Sequence, residues 1–197
     1  MKGHDLPVQD GESGEWRVST FIVTEHEADR FNLCSMFSAV SSGNYRGGLR
    51  PGNYKRLSRG NTVVMSNTPA EMEDLRIPII KARGSVLING LGLGVFLNEI
   101  LCLERVVEVT VIEKSSDVIK LVSPFFTDDR VTIINDDAFT WKPPAGKRYN
   151  TVWHDIWDDI DAEKNLPEMT KLHRKYGKRC DWQGSWCKRE CLRGMRR

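Results

Sequence analysis

The sequence predicts an α/β protein with a Rossmann-like parallel-sheet core, and three observations carry that reading. Val86-Leu87-Ile88 is a short, wholly apolar run that leads straight into Asn89-Gly90-Leu91-Gly92-Leu93-Gly94 and then into an apolar helical stretch, Val95 to Leu103. A second apolar run, Glu108 to Ile112, ends on Glu113, nineteen positions after Gly94. Two further runs, 130–134 and 149–153, end in Asn135-Asp136-Asp137-Ala138 and His154-Asp155-Ile156-Trp157-Asp158. Fully apolar strands in a direct β-α-β series are what a parallel sheet covered on both faces requires.

The elements follow in order. Residues 1–14 lack periodicity and are expected to fray. Trp16 to Thr24 reads as a strand from its branched and aromatic residues, and Glu25 to Ser38 as a short helix. Residues 41–61 carry four turn signals and read as a loop. That loop interleaves Arg46, Arg50, Lys55, Arg56 and Arg59 with Tyr45 and Tyr54, a composition able to grip phosphates or stack on bases, or simply to hydrate a surface. Thr62 to Ser66 is a short strand. Thr68-Pro69-Ala70-Glu71 then marks a helix start, with Thr68 as cap, Pro69 at the first position and Glu71 returning a bond to the cap. This helix should run to Arg83, bent or interrupted at Pro78, with Gly84 ending it. Ser116 to Ser123 fits a crossover helix, and 161–176 a charged helix. Beyond the fourth strand no later strand is recognisable, which implies either truncation or a minimal fold completed by a partner. Three regions result: an N-terminal β/α extension with the basic loop (1–68), a Rossmann-like cofactor domain (69–160), and a C-terminal helix with a basic tail (161–197).

Length and composition fit one soluble domain: 197 residues, 40% hydrophobic and 28% charged, argue against disorder and fibres. No apolar run approaches a membrane span, and the first residues are polar, so a cytoplasmic protein is expected. Five cysteines, an odd number, suggest reduced thiols, with Cys34 and Cys102 placed in the core. Net charge is only +2, but ten bases against two acids from Lys171 onward make the tail strongly basic. Such a tail solubilises a terminal helix or binds nucleic acid. His173, Cys180, Cys187 and Cys191 lack a Cys-x-x-Cys knuckle, so no zinc site is assigned. Trp182 and Trp186, four apart, are expected to pack a terminal helix onto the sheet.

In an open parallel sheet the ligand crevice lies beyond the carboxyl ends of the strands, where all the marked groups fall. Gly90, Gly92 and Gly94 leave the turn bare of Cβ atoms, so that a ligand can lie against it. Glu113 is placed to accept hydrogen bonds from both ribose hydroxyls, and the Asp136-Asp137 pair ends a strand where a carboxylate can bind an adenine amino group. Asp155 is the candidate base, better suited to a cationic acceptor than to a phosphate.

These residues resemble the class I S-adenosylmethionine-dependent methyltransferase superfamily and, within it, the spermidine-synthase-like branch. The resemblance covers 84–158, about half the chain. It implies a fold of methyltransferase type, a cofactor site built from Gly90, Gly92, Gly94, Glu113 and Asp136 with Asp137 beside it, and S-adenosylmethionine or its decarboxylated form as cofactor. The branch rests on Ile88 and on Asp155-Ile-Trp-Asp158, which is similar to the Asp-x-x-Asp of polyamine synthases. There the first Asp takes a proton from the attacking amine and the second holds the polyamine. Leu93 departs from that branch, which has an Asp in the glycine loop, and its substrate-gating Tyr and Gln have no match. The resemblance thus implies a methyltransferase of unknown acceptor. An aminopropyltransferase and a non-catalytic module that binds nucleic acid or protein through its basic tail remain as alternatives, with the oligomeric state open.

Overall fold

A computed structural model describes residues 6–42 and 48–195, with the backbone alone for 36–42. Two sheets make up the molecule. The first is antiparallel, in the order β1 (Gly11–Ser13), β2 (Trp16–Val23), β3 (Gly52–Arg59), β4 (Thr62–Ser66), with helix α1 (Glu25–Ser42) between β2 and β3. The second contains β5 (Gly84–Asn89), β6 (Val106–Glu113), β7 (Val131–Asn135), β8 (Tyr149–His154) and β9 (Cys180–Ser185), all parallel in the order β7-β6-β5-β8-β9. Helix α2 (Pro69–Lys81) links the sheets, α3 (Val95–Leu101) and α4 (Ser116–Val122) follow β5 and β6, and α5 (Ala162–Tyr176) and α6 (Lys188–Gly194) flank β9.

The period of two along each central strand divides its side chains between two cores. Val86 and Ile88 of β5 and Val109 and Val111 of β6 face Leu75 of α2, Leu97 of α3 and Val118 of α4, together with Val18 and Leu57 of the antiparallel sheet. Leu87, Ile112 and Val152 face the other way, onto Met169, Leu172 and Tyr176 of α5. The parallel sheet is therefore covered on both sides, as its apolar strands require. The chain runs outward from β5 to β7 and then returns to β8 beside β5, so the strand order reverses between β5 and β8, and a crevice opens where neighbouring connections diverge.

Several expectations are corrected. Residues 6–14 do not fray, because Leu6 and Val8 are buried and 11–13 pair with β2. The expected loop at 41–61 contains β3, paired with β2 without interruption from Trp16↔Arg59 to Val23↔Gly52. Its buried Tyr54 and Leu57 supply the core contacts that override the turn signals. Arg46 and Tyr45 lie outside the described residues. Helix α2 ends at Lys81 and continues through Pro78, which stands in the last turn. Gly84 opens β5 instead of closing the helix. A fifth parallel strand, β9, follows α5, so the sheet does not stop at four. Trp182 lies on that strand, stacked on Trp153 with ring centroids 6.4 Å apart, and belongs to no terminal helix. Cys34 and Cys102 are exposed and not part of the core; Phe31 and Leu33 beside Cys34 are exposed with it. Among the described residues no helix is long and apolar enough to cross a membrane.

Candidate functional site

The strand-order reversal sets the end of β5 beside the end of β8, and the glycine turn fills the junction. Asp155 N–H donates to Asn89 O (2.8 Å), and Gly90 N–H donates to Ile112 O (2.8 Å). Gly90 has φ 98°, and a Cβ there would overlap the Asp155 carbonyl oxygen. At Gly92 (φ 52°) a Cβ would strike Met65 Sδ, and at Gly94 (φ 74°) the Phe126 ring. The bare faces of the turn are thus partly taken up by protein, and Gly94, packed against Phe126, does not line the cavity beside the turn. Leu93 N–H points at Met65 Sδ (3.1 Å), so β4 of the antiparallel sheet reaches the turn directly.

Gly90 and Gly92 still form one wall of a cavity of about 1030 Å³, which spans the carboxyl ends of β5, β6, β7 and β8. Small-molecule sites run roughly 300–1,000 Å³, so this space can hold a nucleoside and a second reactant together. Glu113 lines it at the end of β6. Its Oε2 accepts Leu91 N–H (2.8 Å) and its Oε1 accepts Ser115 N–H (2.7 Å), which ties β6 to the glycine turn. The Lys114 backbone N–H also acts on this carboxylate, and of its roughly four acceptor positions one is left for a ligand hydroxyl. Burial raises the Glu113 pKa against the pull of those N–H groups.

Of the acidic pair after β7, Asp137 lines the cavity with Ala138 and Phe139, whereas Asp136 does not. Asp136 Oδ1 turns back to accept Asp137 N–H (2.6 Å) and Thr140 Oγ1–H (3.3 Å), so the structure does not bring it to the cavity wall with Asp137. Asp137 is held by Lys114 (2.9 Å) and by Phe139 N–H (2.8 Å), and the Lys114 ammonium lowers its pKa. Asp155 and Asp158 line the β8 side. Burial raises the Asp155 pKa to about 7, with Asp74 adding to the shift, and the Trp153 indole N–H at 3.4 Å offsets it only in part. Asp158 is already paired with Arg59 of β3 (2.8 Å), and that guanidinium also lies over the Trp16 ring.

Two contributors escaped the sequence reading. Glu71 does not close a capping box on Thr68, which makes no side-chain cap bond; its Oε1 accepts Ser66 N–H (2.7 Å) and Ser66 Oγ–H (2.8 Å). It lines the cavity, and burial raises its pKa to about 7, with Asp155 and Asp74 contributing. Met65 is the other, and nothing in its local sequence marks it. The basic segment proves largely engaged. Lys55 pairs with Asp10 (2.9 Å), Arg56 lies over Phe21 and donates to Ser19 Oγ (3.1 Å), and Tyr54 is buried. In the C-terminal region Lys175 Nζ donates to the carbonyls of Ala138 (2.8 Å), Phe139 (3.1 Å) and Trp141. His173 Nε2 meets Ser185 Oγ (2.9 Å), and Cys187 Sγ lies 3.8 Å from Cys191 Sγ. Among the described residues no group of three or more His, Cys, Asp or Glu side chains is arranged to hold a metal ion.

Comparison with protein families and with curated proteins finds no match. Solved structures do share part of the fold. The plantazolicin methyltransferase BpumL in complex with SAH is 18% identical, over 54% of this chain and 38% of that one, with a TM-score of 0.39. The glycopeptide N-methyltransferase MtfA, complexed with S-adenosyl-L-homocysteine, is 22% identical, over 55% of this chain and 43% of that one, at 0.43. Thermoplasma acidophilum protein 1320 is 16% identical, over 64% of this chain and 67% of that one, at 0.46. The chain thus spans about two fifths of the length of the two methyltransferases. These are partial likenesses, and they assign no activity to this chain.

Proposed function

We propose that this chain binds S-adenosylmethionine in the cavity over its glycine turn and transfers the methyl group to an acceptor held beside Asp155. The observation that supports this reading is the convergence of Gly90 and Gly92, Glu113 and Asp137, from three consecutive strand ends, on one cavity at the strand-order reversal. The residue set suits an adenosine: Glu113 keeps an acceptor position for a ribose hydroxyl, and Asp137 with Phe139 offers an acceptor and an aromatic side chain to a base. The bound cofactor supplies an electrophilic methyl carbon with a good leaving group. The chain's own residues then have three tasks: to orient the acceptor, to exclude water and to take up its proton. Asp155, half-titrated near pH 7, is matched to that last task.

The spermidine-synthase-like alternative uses the same cavity with the decarboxylated cofactor and assigns the acceptor amine to both Asp155 and Asp158. The Arg59–Asp158 pair weighs against it, because one of the two carboxylates already holds a cation. The non-catalytic module that binds nucleic acid or protein through its basic tail draws little support from the basic loop, where Lys55 and Arg59 are spent on acids. Calorimetry with S-adenosylmethionine, S-adenosylhomocysteine and decarboxylated S-adenosylmethionine separates these readings. The first two are expected to bind with dissociation constants of about 1–100 μM, typical of enzyme ligands. Preference for the decarboxylated form moves the assignment to aminopropyl transfer, and failure of all three to bind removes the transferase reading.

A further inference from the structure

The bases of the C-terminal region form a surface of their own, away from the glycine turn. On α5 the buried Asn165, Met169, Leu172 and Tyr176 define the inner face, and Lys171 and Arg174 stand exposed on the opposite one, with Lys178 just past the last turn. Helix α6 packs against α5, with Cys191 turned into the shared core. Lys188, Leu192 and Met195 follow one another at the i, i+4, i+7 spacing of a single helix face, and Arg189 stands beside Leu192 at i, i+3. Leu192 is 46% and Met195 68% exposed. Among the described residues Lys171, Arg174, Lys178, Lys188 and Arg189 form no ion pair, and Asp181, the exposed acid of this region, is already shared by Arg83 and Arg148. Two features of the face point outward. Lys188 and Arg189 occupy the first turn of α6, the end at which a helix dipole disfavours positive charge, so they do not serve their own helix. Leu192 and Met195 present apolar area to water among those bases.

We infer that the outer face of α5 and α6 docks onto an anionic lipid bilayer, with Leu192 and Met195 entering the headgroup boundary and the five bases meeting anionic headgroups. A bilayer answers both features at once, because its charge pairs with the bases and its acyl boundary takes the apolar side chains. A nucleic-acid backbone would satisfy the bases alone. It would leave Leu192 and Met195 in water, and no exposed aromatic ring stands among these bases in the described residues to stack on nucleobases. The attachment is peripheral and reversible, since two short apolar side chains and a basic face hold only in combination. The inference goes beyond the transferase reading and does not depend on it.

The test is co-sedimentation of the full chain with unilamellar vesicles, of phosphatidylcholine alone or with about 30% phosphatidylserine, in about 0.05 M and about 0.5 M salt. Partitioning onto the anionic vesicles is expected to exceed that onto phosphatidylcholine at least about tenfold in low salt, and to fall at least about tenfold in high salt. Lys171→Gln combined with Arg174→Gln should weaken it about tenfold. Leu192→Ser combined with Met195→Ser keeps every charge and should weaken it about fivefold, a loss that a purely ionic contact would not show. All four side chains are exposed, and circular dichroism checks that the variants fold. Equal partitioning onto the two kinds of vesicle, or anionic-vesicle binding unchanged by the loss of Leu192 and Met195, overturns the inference. So does displacement from the anionic vesicles by a DNA duplex of about 20 base pairs at equal anionic charge, which reassigns the face to nucleic acid. If a variant fails to fold, the wild-type response to vesicle charge, salt and duplex decides alone.

Discussion

At the scale of single residues the site holds its chemistry at a cost in stability, and Asp155 shows the sign. Its folded pKa, about 7, lies above the ordinary carboxylate value because burial disfavours the charge. Between roughly pH 4 and 7 the folded chain therefore binds more protons at this position than the unfolded chain, so its contribution to stability falls as pH rises and reaches its minimum above pH 7. Asp155→Asn abolishes that cost. The variant should be more stable than the wild type by about 1–3 kcal/mol at pH 8, with the difference closing by pH 5. His154 and His173, whose pKa values are lowered by burial to about 3 and about 4, act in the opposite direction but occur in both proteins and cancel from the comparison. Thermal denaturation across pH 5–8 measures it, and a destabilised variant at pH 8 contradicts the assignment. Gly90 is constrained differently, by the Asp155 carbonyl as well as by its φ. Gly90→Ala should cost at least about 3 kcal/mol, whereas Gly146→Ala, at φ 75° with nothing within 4 Å, should cost about 1 kcal/mol; equal losses in urea denaturation would show that backbone conformation alone governs the turn.

Elements explain what was legible in the sequence and what was not. β5 declared itself because a central strand buried on both faces is continuously apolar, and β6, β7 and β8 by their branched and aromatic residues; Glu113 and Asp155 followed simply from where those strands end. β3 and β9 gave no such signal. Gly52–Arg59 carries three bases and Cys180–Ser185 is polar, and each becomes a strand because a neighbour offers an unpaired edge: β2 to the one, β8 to the other. Glu71 read as a helix cap because its local sequence fits one; its turn toward Ser66 and the cavity is decided by tertiary contacts. The segment after β7 shows how a distant element shapes the site. Lys175, from α5, places its ammonium on the carbonyls of Ala138, Phe139 and Trp141, fixing the bend that presents Asp137 and Phe139. Lys175→Met preserves the length of the side chain and loses those bonds. It should cost about 1.5–3 kcal/mol by denaturant unfolding and weaken S-adenosylhomocysteine binding several-fold. Unchanged binding would mean that the bend holds its shape unaided.

The whole molecule behaves, on this structure, as one cooperative unit despite having two sheets. Val18 and Leu57 from the antiparallel sheet, with Val8 from the segment before β1, share a single core with Leu93, Val118 and Val122 around the glycine turn and α4. Polar ties run the same way: Ser13 Oγ–H donates to Asp117 Oδ1 (2.7 Å), Met65 meets Leu93 N–H, and Arg59 reaches Asp158. The Arg59–Asp158 pair is half-exposed and contributes at most about 1 kcal/mol, so it shapes the cavity wall more than it stabilises the fold. The shared apolar core is the larger effect, because stripping it from α4 uncovers side chains worth about 1.5–3 kcal/mol each, against a total stability of about 5–15 kcal/mol. The full chain should therefore melt in a single calorimetric transition, with equal calorimetric and van't Hoff enthalpies. A fragment lacking residues 1–66 should show no cooperative transition and should bind a hydrophobic dye, since the face of α4 and the turn that Val18, Leu57 and Met65 cover would be exposed to water. Two separate transitions in the full chain, or a fragment that melts cooperatively by itself, would instead mean that the parallel sheet closes its own core and that the antiparallel sheet serves only as a wall of the cavity.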